Sequence, residues 1–206
     1  MRVTATENRR KGLTALKLEN GSEILLDTEI VIARDIKAGS FIEDLPALKY
    51  ESDFKRAKSR ALWYLSRGDL SEKTLFDKLK SGGFGEEVCF AAVERMKELD
   101  LVNDQRYAKR LAEYMSVSGI SRKELYFKLI HKGISADIVK DVIETDNGEE
   151  TEKIKQLLCT KYLKKLETDE GVQKAFAALV RKGFSYRDIK DAFKAYNDEI
   201  NENGEY

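Results

Sequence analysis

A single proline, Pro46, occurs among the 206 residues, so long helices can run without the break that its ring imposes. Histidine occurs once, at His131, and cysteine twice, at Cys89 and Cys159. These residues are too few and too far apart for a metal-ligand set or a disulfide framework. No apolar run approaches the roughly eighteen residues of a membrane span. The opening stretch MRVTATENRRKG lacks the apolar core of an export signal, so a cytoplasmic, reducing location is expected. Net charge is missing too: 37 Lys and Arg meet 37 Asp and Glu, which argues against a globally basic nucleic-acid binder. Neither a G-x-x-x-x-G-K-[ST] loop nor a G-x-G-x-x-G fingerprint is present.

Chemistry is equally sparse. His131 closes an expected helix, where a cation suits the dipole. It has no partner that would orient it for proton transfer. Cys89 lies on an apolar stripe and Cys159 beside Leu157 and Leu158, so both are expected as small buried hydrophobes. Gly82-Gly83-Phe84-Gly85 reads as a turn between helices, and Asp146–Glu150 lacks a calcium-loop pattern. The expectation is a protein that is not an enzyme, with no catalytic, cofactor-binding or metal-binding residue.

What is present is a repeat. Gly83, Gly133 and Gly183 fall fifty residues apart, and each is followed by a bulky apolar residue, Phe84, Ile134 or Phe184. A fixed period of this size signals stacked supersecondary units. The spacing predicts three helices per repeat. They run over Asp53–Arg67, Ser71–Ser81 and Gly85–Leu99, then Asp104–Val117, Ser121–Lys132 and Ser135–Glu144, then Glu150–Leu166, Glu170–Lys182 and Ser185–Ile200. Leu75 and Leu79, Leu125 and Leu129, and Ala175 and Leu179 mark the buried stripe of each second helix. The three glycines suit the left-handed position that closes a helix, Gly68 and Gly119 suit the ends of the first helices, and Ser121 with Glu124 forms an S-x-x-E capping box.

Residues before the repeats read differently. Arg2–Thr6, Leu13–Leu18 and Glu23–Leu26 are β-prone, and Asn20-Gly21 marks a hairpin. Asp27–Ile36 is open between strand and short helix. The fold class expected is mainly α: three tandem three-helix repeats, elongated and curved, preceded by a small β-rich N-terminal unit. The expected boundaries are 1–52 for that unit, 53–103, 104–148 and 149–200 for the repeats, and 201–206 for a frayed tail.

Charge is arranged although its sum is zero. Phe54–Gly82 holds eight basic and three acidic residues, and Gly83–Asp104 two and six. The alternation recurs in both later repeats, with helices one and two basic and helix three acidic. Each charge read singly fits a solvated face, and Glu86, Glu87, Asp137 and Asp188 complement helix N-termini. The threefold recurrence points to a partner for the basic side. The candidate partner-binding residues are Arg56, Arg60, Arg67, Lys78, Arg106, Lys109, Arg110, Arg122, Lys123, Lys128 and Lys132. A helix-turn-helix reading would set Glu86, Glu87 and Asp137 among phosphates, so base-specific recognition through helix three is not expected. Non-specific backbone contact stays open. Trp63, Tyr64, Tyr107, Tyr114 and Tyr126 read as core or as interface anchors. Periodicity favours burial of Tyr107 with Ala108 and Leu111, and one of Trp63 and Tyr64 has to face outward.

The stretch from Ala61 to Tyr114 resembles the RecX family. The shared features are A-x-x-x-L-S at Ala61–Ser66, Ser71, Leu75, Lys78-Leu79, Gly83-Phe84, Leu99–Asp104 (LDLVND) and Tyr107-Ala108. A second pass follows at Ser121, Glu124-Leu125, Lys128-Leu129 and Lys132-Gly133-Ile134. Thr74 and Gly68 depart from the family pattern. The resemblance implies a modulator of the RecA recombinase, built of three-helix repeats, that lies in the groove of the RecA–DNA filament. It implies limits on filament growth, strand exchange and ATP hydrolysis. The expected partners are therefore the RecA filament and, non-specifically, single- or double-stranded DNA, bound by a monomer. A stand-alone nucleic-acid-binding module and a generic helical scaffold are the alternatives.

Overall fold

The computed structural model describes residues 1–116, 118–144 and 150–203. The chain divides into two compact units, Met1–Asn103 and Asp104–Tyr206. It is mainly helical, with three-helix groups in tandem after a small antiparallel sheet.

In the first unit, β1 (Val3–Arg9), β2 (Leu13–Leu18) and β3 (Glu23–Asp27) form a meander in that order. The Asn20-Gly21 hairpin forms: Asn20 Oδ1 accepts from the Ser22 N–H at 3.0 Å, and Gly21 takes a φ of 82°. β1 continues past the expected end at Thr6. Its polar last residues are held by cross-strand partners, the Thr14 hydroxyl on Asn8 at 3.2 Å and Arg9 on Glu23 at 3.5 Å. Asp27–Ile36 resolves as a short helix, α1 (Thr28–Ala33), because the Asp27 side chain caps the Glu29 N–H at 3.0 Å.

The first long helix, α2 (Leu45–Leu65), begins well before the expected Asp53. Pro46 sits in its first turn, where the missing N–H leaves no bond unmade. Asp44 caps that turn by accepting from the Ala47 N–H at 2.9 Å. The added turns bury Leu48 with Leu16, Leu26 and Ile30 of the sheet-side core, and Ser52 Oγ accepts the Asp27 N–H at 2.7 Å. Farther along, Ala57 and Ala61 pack on α3 (Glu72–Ser81) and α4 (Glu86–Glu98) with Leu75, Leu79, Cys89 and Met96. Alanine on this face lets α3 and α4 approach α2 closely. One helix thus joins two cores within the unit.

The second unit holds two further cores. α5 (Asp104–Ser116), α6 (Arg122–His131) and α7 (Ala136–Glu144) enclose Ala108, Leu125, Leu129, Val139 and Val142. α8 (Glu150–Leu157), α9 (Asp169–Arg181) and α10 (Tyr186–Asn203) enclose Ile154, Leu158, Ala175, Leu179 and Ile189. The helix expected over Glu150–Leu166 does not run through. α8 passes into a π-helical turn, Leu158–Tyr162, and a 3₁₀ turn, Leu163–Lys165. This segment has no glycine or proline to announce the change. Its cause is tertiary: Leu158 and Tyr162 stay buried while Leu163 and the lysines beside it face solvent. Cys159, expected in the core, is exposed on this turn.

One turn recurs three times. Gly83, Gly133 and Gly183 have φ of 89°, 83° and 89°. The next residue's N–H donates back to Leu79, Leu129 or Leu179, at 3.5, 3.2 and 3.3 Å. This is the Schellman closure, which a Cβ at the left-handed position would strain. Val117, the acidic stretch 145–149 with the expected boundary after 148, and tail residues 204–206 lie outside the described residues.

Candidate functional site

Arg60, Trp63 and Tyr64 lie in the last turns of α2, and Arg67 follows two residues past its end. Ala57 and Ala61 turn into the core and Tyr64 packs against it, whereas Arg60, Trp63 and Arg67 are exposed. Trp63 is 42% exposed and meets Tyr64 edge-on, ring centroids 5.1 Å apart. Arg67 stacks over the Trp63 ring at 3.7 Å and Arg60 at 5.0 Å. α3 adds Lys78, 5.2 Å from the Tyr64 ring. The recess beside them, about 400 Å³, is lined by both rings, Arg67, Lys78 and one carboxylate, Asp69. Among the described residues Arg60, Arg67 and Lys78 have no carboxylate partner; ring faces hold them instead. An exposed cation over an aromatic face gains only ~0.5–1 kcal/mol, so the three stay available to an anionic partner.

The second unit carries a groove of about 820 Å³. Lys123, Lys128 and Lys132 approach it from the α6 side, and Arg181 and Lys182 from the end of α9. Lys128 is paired with Glu124 at 3.4 Å. The contact between the two helix groups is fixed beside the groove. The buried Ser121 hydroxyl donates to the Lys182 carbonyl at 2.5 Å while its oxygen accepts the Glu124 N–H at 3.1 Å. Glu150 Oε1 accepts the Arg122 N–H at 3.2 Å. Burial pushes the Glu150 carboxyl above the usual carboxylate range, opposed by that hydrogen bond and by Lys153.

The expected cations therefore divide. Arg60, Arg67 and Lys78 come together on the first unit, and Lys123, Lys128 and Lys132 on the second. Arg56 pairs with Asp53 at 3.2 Å and lies over Phe84. Arg106, Arg110 and Arg122 make interactions of their own within the protein, and Lys109 is exposed on α5 away from the groove. Of the aromatics, Trp63, Tyr114 and Tyr126 are exposed, whereas Tyr64 and Tyr107 are half-buried. The sequence reading missed the exposed apolar residues Phe127, Ile130 and Val180. The signal was there: Phe127 and Ile130 fall off the Leu125–Leu129 stripe, which already supplies the buried side of α6.

Among the described residues no three His, Cys, Asp or Glu side chains are grouped as metal ligands would be, and no helix is long and apolar enough to cross a membrane. Fold and surfaces together define a tandem three-helix-repeat protein with exposed cations beside aromatic and apolar side chains. The family model described as RecX, first three-helix domain, matches residues 57–96. Regulatory protein RecX of Caldanaerobacter subterraneus subsp. tengcongensis is 38% identical over 140 residues, covering 67% of this chain and 69% of that one. Its counterpart in Clostridium perfringens (strain SM101 / Type A) is 30% identical over 195 residues, covering 90% and 91%. The crystal structure of RecX from Lactobacillus salivarius superposes with a TM-score of 0.62 at 26% identity, over 70% of this chain and 97% of that one. A further crystal structure of regulatory protein RecX shares the fold, with a TM-score of 0.65 at 22% identity, over 92% and 98%. The chain belongs to the RecX family of regulatory proteins.

Proposed function

We propose that this protein restrains the RecA recombinase by binding the RecA–DNA filament, limiting its extension and with it strand exchange and ATP hydrolysis. Family membership supports the reading. The observation that carries the choice of surface is the Arg60–Trp63–Tyr64–Arg67–Lys78 cluster, where Arg60 and Arg67 flank an exposed tryptophan and Lys78 lies beside Tyr64, the three cations having no carboxylate partner among the described residues. Arginine and tryptophan are the side chains that most often anchor interfaces. The restraint is a matter of binding, not catalysis: a ligand shifts assembly only by its differential affinity for filament over free subunit. Contacts from several helix groups add, because each one raises the effective concentration of the next.

The test is RecA ATP hydrolysis on single-stranded DNA as this protein is titrated in, beside the triple variant Arg60→Glu, Arg67→Glu, Lys78→Glu. The parent lowers the rate at stoichiometric amounts and the variant loses most of that effect. One observation favours a second reading, binding to nucleic acid alone: Trp63 beside paired-free cations suits stacking of an unpaired base. That reading requires tight binding to naked single-stranded DNA with steep loss in salt, and quenching of Trp63 fluorescence.

A further inference from the structure

The groove of the second unit has a floor as well as a rim. Phe127 and Val180 are 59% and 46% exposed, and Ile130 is 37% exposed. Leu111 and Met115 of α5 line the groove behind them. Tyr126 braces Phe127 edge-on, ring centroids 5.6 Å apart at 87°. Five lysine and arginine side chains surround this floor, against one carboxylate, Glu124. The ends of α6 and α9 both close here, and each helix C-terminus contributes about half a negative charge. Glu124, which pairs with Lys128, and the two helix ends offset about two of the five positive charges, so the rim stays net positive, and the Lys182 carbonyl is already occupied by Ser121.

The walls are fixed before any ligand arrives. A Cβ at Gly183 would stand 2.9 Å from Ser121 Oγ and 3.2 Å from Lys123 Cβ, so the α9 turn and the α6 start lie against each other with no slack. A preformed site loses less to ordering when it is filled. A concave apolar floor with a net positive rim fits a convex ligand that is apolar on one side and acidic on its flanks. An amphipathic helix with apolar residues at i, i+3 or i+4, and i+7 has that form.

We propose that this groove docks an acidic amphipathic helix from a partner protein, with Phe127, Ile130 and Val180 taking its apolar side chains and Lys128, Arg181 and Lys182 its carboxylates. The proposal does not rest on action at RecA, so either reading can fail without the other. The probe is a synthetic peptide of about five helical turns, leucine on one face and glutamate on the other. It is titrated into the ¹⁵N-labelled full chain and followed by amide chemical shifts. The controls are the same composition with leucine scattered, the same pattern with lysine for glutamate, and anionic phosphatidylglycerol vesicles.

The expected result is shifts concentrated at residues 123–132 and 180–183, weak or absent binding of both control peptides, and loss of affinity as salt rises. Phe127→Ala and the pair Lys128→Glu, Lys182→Glu each weaken binding by about tenfold or more. These residues lie at the surface, and unchanged spectral dispersion of the variants shows that they fold. Shifts centred elsewhere, equal binding of the scattered peptide, or binding of vesicles in place of the peptide overturns the proposal.

Discussion

Glu150 brings a carboxyl into the contact between the two helix groups of the second unit. Its side chain is 12% exposed and lies 3.7 Å from Lys153, itself 8% exposed. Burial raises its folded pKa above the ordinary value, so the folded state holds the proton more tightly than the unfolded chain. Its contribution to stability is then present below the ordinary carboxylate range and lost as pH rises through the raised folded value. Glu150→Gln keeps an acceptor for the Arg122 N–H without the charge. Thermal midpoints measured across that range should show the parent losing stability relative to the variant as pH rises; parallel profiles contradict this. The cysteines give a second residue-scale check. Cys89 is fully buried, and burial pushes its thiol up, whereas Cys159 is exposed. Since the thiolate is the reactive form, alkylation of the native protein should give one adduct, at Cys159, by mass spectrometry. Comparable labelling of Cys89 contradicts the burial assigned to it.

At the scale of elements, the Schellman turns separate backbone strain from packing. Gly83→Ala meets nothing within 4 Å and bears only the left-handed penalty, ~1–2 kcal/mol. Gly183→Ala bears that penalty and also displaces Ser121 Oγ and Lys123, so it should cost at least ~1 kcal/mol more. Urea unfolding followed by circular dichroism checks the order; equal losses contradict the close apposition. These turns were legible in the sequence because a glycine followed by a bulky apolar residue has one main use at a helix end. The cap at Ser121 was legible for the same reason: a serine ahead of an apolar stripe satisfies a free N–H. Thr74, where the family pattern differs, still engages Ser71, with the two hydroxyls 2.8 Å apart. The start of α2 was not legible, because Pro46 reads equally as a breaker and as a first-turn residue, and only Leu48 reaching the sheet-side core decides between them. The π-helical turn at Leu158–Tyr162 left no trace, since its cause is packing by α9 and α10 and not local composition. The candidate site was legible in part. Periodicity identified the charged helices and required one of Trp63 and Tyr64 to face outward. It could not show that Arg60, Arg67 and Lys78 meet those rings while Arg56 turns to Asp53, because ion pairing is chosen by rotamers in the folded chain.

At the scale of the whole molecule, a net charge of zero conceals a division by helix. Surface ion pairs along the helices, such as Lys73 with Asp77 at 2.9 Å and Lys174 with Glu170 at 2.5 Å, are each worth well under ~1 kcal/mol. They solubilise without directing. Arg60, Arg67 and Lys78 enter no such pair among the described residues and gather beside the exposed Trp63 in the first unit, whereas in the second unit Lys128 is paired with Glu124 beside the exposed Phe127 and Ile130. This arrangement suits binding by addition of modest contacts, each sensitive to salt. The measurement that tests the account most directly is the rate of ATP hydrolysis by RecA on single-stranded DNA, as the parent protein and the Arg60, Arg67, Lys78 charge-reversed variant are each raised to stoichiometric amounts. The account predicts a falling rate with the parent and a rate close to RecA alone with the variant; an unchanged rate with the parent, or equal suppression by both proteins, contradicts it.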